Sequence, residues 1–394
     1  MSHYKYLIIG GGMTADSAIR AIRKIDQDGS IGLISAEPDP PYNRPPLSKK
    51  LWTGGKTNID SIWRKTESRG ADLHLGRKIN SIDPKNKSTV DDQGEVRTFD
   101  KLLLATGGTP RHLPFGGDQI IYFRTLRDYR RLRSLADEKS RFAVIGGGFI
   151  GSEIAAALSM NGKEVVMIFP GEGIGWNLFP HDLALFLNDM YREKGVKLLS
   201  NTSVSGMKVE NDQMVLQTEP RENIQVDGVV AGIGTQPNVE LALLAGLEVE
   251  NGVVVDPFLR TSHPDIYAAG DVASFYNAAL GKHMRVEHED NANTMGQIAG
   301  RNMSSEPIQY DHLPFFYSDL FDLGYEAVGE VDSRLETFAD WKEPFREGVI
   351  YYLRNNQVRG VLLWNVWGKV DAARQLIADT KPLKAEDLKG RIQS

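Results

Sequence analysis

Cysteine is absent from these 394 residues. No dithiol relay, reactive thiolate or disulfide framework can therefore exist in the chain, and any redox chemistry must reside in a bound cofactor. Long apolar runs are missing as well; none reaches the roughly 18 residues of a membrane span. There is no long basic run, and the formal net charge is -6. Nucleic acid and anionic membrane are thus not expected partners on charge grounds. The remaining composition is ordinary for a globular protein, 41% hydrophobic and 25% charged, and the length suits two or three domains of about 100–200 residues each. The first apolar strand begins within a few residues of Met1, which leaves no room for a secretory or transit segment, so a cytoplasmic location is expected. Residues 381–394 are charged and lack an apolar anchoring face.

Two glycine turns dominate what is present. Phe142-Ala143-Val144-Ile145-Gly146-Gly147-Gly148-Phe149-Ile150-Gly151 reads as strand, tight turn and helix, followed by the Ala-rich run 154–158. Gly146 permits the turn, Gly148 lets the backbone approach a pyrophosphate, and Gly151 lets helix pack closely on strand. The phosphates would meet the unpaired N–H groups of the helix N-terminus. Tyr6-Leu7-Ile8-Ile9-Gly10-Gly11-Gly12-Met13-Thr14-Ala15 repeats the pattern, with Ala15 in the third glycine's place. Two such turns imply two dinucleotides.

Each turn should be followed by a strand ending in an acid for a ribose. After the first, Ile31–Ile34 is followed by Glu37, with Ala36 as the alternative occupant of the end-of-strand position. After the second, 164–169 is followed by Glu172. No Arg or Lys adjoins Glu172 to receive a 2′-phosphate, so NADH is expected over NADPH, unless such a cation comes from elsewhere.

Other stretches carry weaker signals. Four prolines stiffen 40–46, from which Arg44 and Lys49 project either as solvated charges or toward a cofactor. Asp91-Asp92-Gln93-Gly94 reads as a hairpin turn, and 197–227 and 348–364 as further hairpins. Strands run into glycine at Ala105-Thr106-Gly107 and at 229–234, and Ile266–Ala269 runs into Gly270-Asp271 at an expected helix start. There Asp271 is either a sugar-hydroxyl acceptor or an N-cap. Glu287-His288-Glu289 precedes a helical segment over 292–303; one histidine without companions at ligand spacing does not make a metal site. From about 311 aromatic residues concentrate, and most are expected in the core of a further mixed domain.

These residues resemble the FAD- and NAD(P)-dependent oxidoreductases with two dinucleotide folds. The resemblance rests on the two glycine turns, Ala105-Thr106-Gly107 and Gly270-Asp271. Arg44-Pro45-Pro46-Leu47-Ser48-Lys49 and Gly148–Glu153 are similar to the oxygenase-coupled ferredoxin reductases and, more closely, to apoptosis-inducing factors. Phe316-Tyr317-Ser318-Asp319-Leu320, Gly324–Gly329 and Val361–Asn365 strengthen the latter likeness, which covers essentially the whole chain. The resemblance implies an α/β fold of glutathione-reductase-like type: two Rossmann-like dinucleotide-binding domains plus an α+β C-terminal domain. It places a discontinuous FAD domain at 1–112 and 236–310, an NAD domain at 113–235, and the C-terminal domain at 311–394.

By the same resemblance, FAD would meet Gly10, Gly12, Met13, Thr14, Ala15, Glu37, Arg44 and Lys49. Thr106, Gly107, Arg124, Asp271, His288 and Glu289 complete that set. NAD would meet Gly147, Gly148, Phe149, Ile150, Glu172 and Gly234, with Glu287, Tyr317, Glu326 and Asn365. Lys49 and Glu153 would form an ion pair near flavin N5. Tyr317 departs from the apoptosis-inducing factor of mitochondria, which has tryptophan there, and that protein's long C-terminal insertion and targeting segment are absent, so a death-signalling role does not carry over.

The chemistry so implied is hydride transfer from NADH to FAD, then electron release to a ferredoxin- or rubredoxin-type carrier. The alternative is a slow NADH sensor that forms a charge-transfer complex and changes its oligomeric state; the chain itself would be a monomer or homodimer. A thiol-dependent disulfide or peroxide reductase is excluded by the missing cysteine.

Overall fold

The structure is a computed structural model that describes residues 2–54, 56–220, 222–379 and 381–392. The last two residues of the charged C-terminal segment, 393 and 394, lie outside the described residues. The chain divides into two compact units. One comprises Met1–Arg44, Ile59–Thr109 and Gln236–Pro314, the other Pro45–Asn58, Pro110–Thr235 and Phe315–Ser394. No described helix is long and apolar enough to cross a membrane.

The first unit is built on a seven-stranded sheet. Its parallel part runs Asp72–Leu75, Ile31–Ser35, Ser2–Ile9, Val96–Leu104, with Ile266–Ala268 also pairing with Val96–Leu104. Tyr6–Ile9 and Leu102–Leu104 are continuous buried runs, as strands covered on both faces require. The expected hairpin at 91–94 joins Ser88–Asp91 to Val96–Leu104, and Ile79–Asp83 adds the antiparallel edge. A smaller four-stranded sheet includes Gly252–Val254, Ala273–Asn277 and Lys282–Met284.

Helices Met13–Ile25 and Glu289–Met303 pack backbone to backbone. A Cβ on Gly296 would fall 2.4 Å from the Thr14 carbonyl oxygen, and one on Gly300 2.4 Å from that of Ala18. Below the first helix lies a buried charge. The Asp16 carboxylate, 0% exposed, accepts from Arg20 Nε at 2.6 Å, Arg64 Nε at 2.7 Å and Thr66 Oγ1 at 2.6 Å. A buried carboxylate is tolerated only with such partners, and these tie 64–66 to the helix that starts the first glycine turn.

The second unit holds a five-stranded parallel sheet in the order Val196–Leu199, Glu164–Ile168, Arg141–Ile145, Gly228–Ala231, Ile120–Tyr122. The helix Phe149–Met160 buries Ile154–Leu158. The hairpins expected over 197–227 are the three antiparallel strands Ser203–Glu210, Gln213–Glu219 and Ile224–Val226.

Residues from Phe315 onward form a five-stranded antiparallel sheet, ordered Phe315–Leu320, Leu323–Gly329, Gln357–Trp364, Glu347–Arg354, Glu336–Glu343, with helix Val370–Ala378. Tyr325 and Trp364 stack with centroids 5.8 Å apart, and Phe179 meets both edge-on. Tyr325, Tyr351, Tyr352 and Trp364 are buried, but Phe315, Phe316, Tyr317, Phe321 and Trp341 are only half-buried and Trp367 is exposed, so the expectation that most of these rings lie in the core is met only in part.

One local expectation fails. Gly270-Asp271 opens no α-helix; Gly270–Val272 is a single 3-10 turn that leads straight into the strand Ala273–Asn277. Asp271 lies inside that short turn, whose N-cap position is Ala269, and not at the start of an α-helix.

Candidate functional site

The two glycine turns are geometric copies. Gly10 N donates to Ile34 O and Gly146 N to Ile168 O, both at 2.8 Å; Ala105 N donates to Ile9 O and Gly232 N to Ile145 O, again both at 2.8 Å. Gly10 and Gly146 have φ of +121° and +116°, a region that disfavours any side chain. A Cβ on Gly10 would fall 2.1 Å from the Ala105 carbonyl oxygen, and one on Gly146 2.3 Å from that of Gly232. Gly12 and Gly148 behave in the opposite way, since a Cβ on either meets nothing within 4 Å. Each is the N-cap of its helix, Met13–Ile25 or Phe149–Met160, and neither helix has a side-chain cap. Open space above uncapped N–H groups at a positive helix end is what a pyrophosphate needs, so the residues present fit one dinucleotide at each turn.

The third positions differ. A Cβ on Gly151 would fall 2.0 Å from the Gly146 carbonyl oxygen, whereas Ala15 carries its methyl fully buried. Met13 and Thr14 are buried in the first helix, while Phe149 and Ile150 are only half-buried at the start of the second.

In the first unit the strand Ile31–Ser35 ends two residues before Glu37, whose carboxylate bonds Arg44 and accepts from Tyr42 Oη at 2.7 Å. Ala36 is exposed. Burial works against the Arg44 cation, yet Glu37, Tyr42 and Asp271 together push its pKa up, which draws Asp271 into the same cluster. Gly107 has φ +66°, and Thr106 and Asn238 exchange two bonds: Thr106 Oγ1 donates to Asn238 O at 2.9 Å, and Asn238 Nδ2 to Thr106 O at 2.8 Å. Helix Glu289–Met303 starts at Glu289, with His288 at the N-cap position and no side-chain cap on the helix. Glu287 pairs with Arg285 at 2.5 Å, and Asp290 with His312 at 2.6 Å.

In the second unit Lys49 and Glu153 form a buried ion pair, 9% and 5% exposed. The Pro45–Leu47 turn delivers Lys49, and the first turns of Phe149–Met160 deliver Glu153. Glu153 is held from two further sides: Ser48 Oγ donates to Oε2 at 2.6 Å and Ser318 Oγ to Oε1 at 2.5 Å. The Lys49 ammonium lies 5.4 Å from the centre of the Tyr317 ring, a cation–π distance, and Phe149 meets Phe316 edge-on at 5.2 Å. Burial, with the Glu153 charge second, pushes the phenols of Tyr191 and Tyr325 far up, so both stay neutral, and Tyr191 Oη donates to Ser152 O at 3.0 Å.

The remaining candidates of this unit are scattered. Glu172 is exposed and faces His181 Nδ1 at 3.3 Å. Gly234 has φ +96° and accepts from Arg111 N at 2.9 Å. Arg124 is half-buried, and its backbone N–H donates to Asp128 Oδ2 at 3.1 Å. Burial raises the Glu326 pKa against a bond from Gly368 N at 3.2 Å. Asn365 uses its amide locally: Gly324 N donates to Oδ1 at 2.8 Å, and Nδ2 donates to Arg346 O at 3.0 Å.

The two serines that hold Glu153 were not legible in the sequence. Ser48 adjoins Lys49, but Ser318 lies 165 residues from Glu153, so nothing local announces it. Trp176 stands in the loop after the second unit's strand Glu164–Ile168, 48% exposed.

Comparison with known proteins fits this geometry. Residues 4–296 match the pyridine nucleotide-disulphide oxidoreductase family, and 299–344 and 339–379 match the C-terminal part of mitochondrion-associated apoptosis-inducing factor. The chain is 35% identical to apoptosis-inducing factor 1, mitochondrial, of Dictyostelium discoideum, over 98% of this chain and 80% of that protein. It is 33% identical to the ferredoxin reductase subunit of the 5,5'-dehydrodivanillate O-demethylase of a Sphingobium species, over 91% and 89%. The crystal structure of a covalent putidaredoxin reductase–putidaredoxin complex contains a chain that superposes with a TM-score of 0.90 at 27% identity, covering 98% of this chain and 95% of that one. The disulphide in the family's name describes chemistry that a chain without cysteine cannot perform through its own thiols. The chain belongs to the pyridine nucleotide-disulphide oxidoreductase family, in its apoptosis-inducing-factor-like, ferredoxin-reductase-type branch, and is an FAD-dependent NAD(P)H oxidoreductase.

Proposed function

We propose that the protein oxidises NADH at FAD and passes the electrons to a small carrier protein of ferredoxin or rubredoxin type. The observation that carries this reading is the duplicated turn, with open space at both Gly12 and Gly148. Residues 1–112 with 236–310 hold FAD in this reading, 113–235 hold NADH, and 311–394 form the third domain. When bound, FAD supplies a ring that accepts hydride at N5 and can release electrons singly.

The chain's own residues bind, orient and tune. The uncapped helices at Gly12 and Gly148 receive the two pyrophosphates. In this reading Glu37 and Asp271 meet sugar hydroxyls of FAD, and Arg44 beside them offers a cation. Lys49 holds a positive charge for the electron-rich reduced ring, and Glu153 fixes it; Ser48 and Ser318 in turn fix Glu153. The positive end of helix Glu289–Met303 offers a second favourable field for the ring. Glu172 repels a 2′-phosphate, which favours NADH. Related proteins named as ferredoxin reductase or putidaredoxin reductase support the choice of carrier.

The test is reduction of a purified ferredoxin or rubredoxin by NADH through this protein. Rates well above the direct NADH background support the reading; carrier reduction at background contradicts it. The C-terminal match to apoptosis-inducing factor favours a second reading: a slow NADH sensor whose oligomeric state changes. A shift in molar mass by light scattering on anaerobic NADH addition, with carrier reduction at background, would decide for that one.

A further inference from the structure

We infer that Trp176 is a stacking platform for the adenine of the dinucleotide held by the second glycine turn. The inference rests on the NADH reading above and adds a binding residue to it.

The loop 171–177 follows strand Glu164–Ile168 and is fastened to its surroundings at several points. Gly175 N donates to Gly147 O at 2.8 Å, which ties the loop to the glycine turn itself. Asn201 N donates to Gly171 O at 3.0 Å. Asn188, buried on helix His181–Glu193, donates through Nδ2 to Glu172 O at 2.8 Å and accepts from Ile174 N at 3.1 Å. A loop so tied is pre-organised, and a residue on it loses little further freedom when a ligand arrives.

On this rigid loop sits a large apolar ring that is 48% exposed. The indole lies against the backbone of Gly171; a Cβ there would fall 2.2 Å from its Cδ1. Gly175 takes φ +68°, so glycine on either side lets the ring lie close to the chain. The ring thus covers Gly171, in the loop that follows the strand and one residue before Glu172, the region where a dinucleotide fold meets the adenosine half of its ligand. About half of the Trp176 surface stays in water in the free protein, and a base stacked on that open part would bury it together with one face of the base. Stacking of this kind is indifferent to the 2′-position of the ribose, so it adds affinity without choosing between NADH and NADPH.

The test uses the FAD-loaded protein and stopped-flow flavin reduction. Trp176→Ala should raise the NADH concentration for half-maximal reduction roughly 5- to 150-fold, the range for one base on one ring, with the limiting rate within about twofold. Trp176→Phe should keep most of the affinity. AMP should compete with NADH in the wild type and lose strength by a similar factor in Trp176→Ala. Reduced nicotinamide mononucleotide, which has no adenine, should react equally with both proteins. Unchanged half-saturation in Trp176→Ala overturns the inference, as does an equal loss with the mononucleotide, which would mean a distorted loop. A wild-type protein that NADH does not reduce would instead defeat the broader reading.

Discussion

Gly12 and Gly148 occupy equivalent positions in two stretches 136 residues apart, and each faces open space where its neighbours two residues earlier, Gly10 and Gly146, face a carbonyl oxygen. Within one motif, then, one glycine is required by the fold and the other leaves open space.

This separates the outcomes of two otherwise similar substitutions. Gly146→Ala forces a methyl to within 2.3 Å of the Gly232 carbonyl oxygen at positive φ, and should cost about 3 kcal/mol or more of stability. Gly148→Ala meets no atom in the free protein and should leave the melting temperature unchanged or slightly raised, while weakening NADH binding at least about tenfold, a loss of ~1.4 kcal/mol. Thermal melts beside NADH titrations check both; equal stability loss in the two variants would contradict the division of roles.

The glycine turns were legible because backbone geometry dictates the residue: only glycine fits Gly10 and Gly146. The parallel strands were legible because Tyr6–Ile9 and Phe142–Ile145 are unbroken apolar runs. The helix expected at Gly270-Asp271 was not found, since the same Gly-Asp pair serves a 3-10 turn leading into a strand. Ser318 was beyond reach because its role depends on the antiparallel sheet bringing it to Glu153. Trp176 gave no periodic signal; only its exposure on a fastened loop sets it apart.

The buried Lys49–Glu153 pair is either structural or electronic in purpose, and stability and rate distinguish the two. Lys49→Met leaves Glu153 buried with Ser48 and Ser318 as its side-chain donors among the described residues, so it should cost about 3 kcal/mol. Adding Glu153→Gln should recover much of that loss. Flavin reduction by NADH should stay at least about tenfold slower in both variants. Recovery of the reduction rate together with stability would make the pair a structural bridge.

Asp16 should prove structural. Asp16→Ala removes the carboxylate that faces Arg64, whose side chain is 9% exposed and would keep neutral acceptors on Asn43 and Ser17, and should destabilise by about 3–5 kcal/mol. Guanidinium unfolding measures this. In the fraction that remains folded, the half-saturating NADH concentration should match the wild type.

Asp91 gives the chain an acid-sensitive edge away from either turn. Burial would raise its pKa, but Arg97 and backbone N–H groups outweigh it and hold the carboxyl at about 2. A depressed folded pKa contributes stability above the unfolded value and loses it as pH falls toward the folded one. The wild type should therefore exceed Asp91→Asn by about 2 kcal/mol at neutral pH, with the difference shrinking between about pH 4 and pH 2. Parallel denaturant melts across that range check it; a constant difference would remove Asp91 as the cause.

The most direct test of the account is an anaerobic NADH titration of the FAD-loaded protein, followed by its visible absorbance. One NADH per chain should bleach the flavin band, and Gly148→Ala should need far more NADH to do so. A protein that retains no FAD when supplied with it, or whose flavin band ignores NADH, would contradict the claim that each turn grips its own dinucleotide.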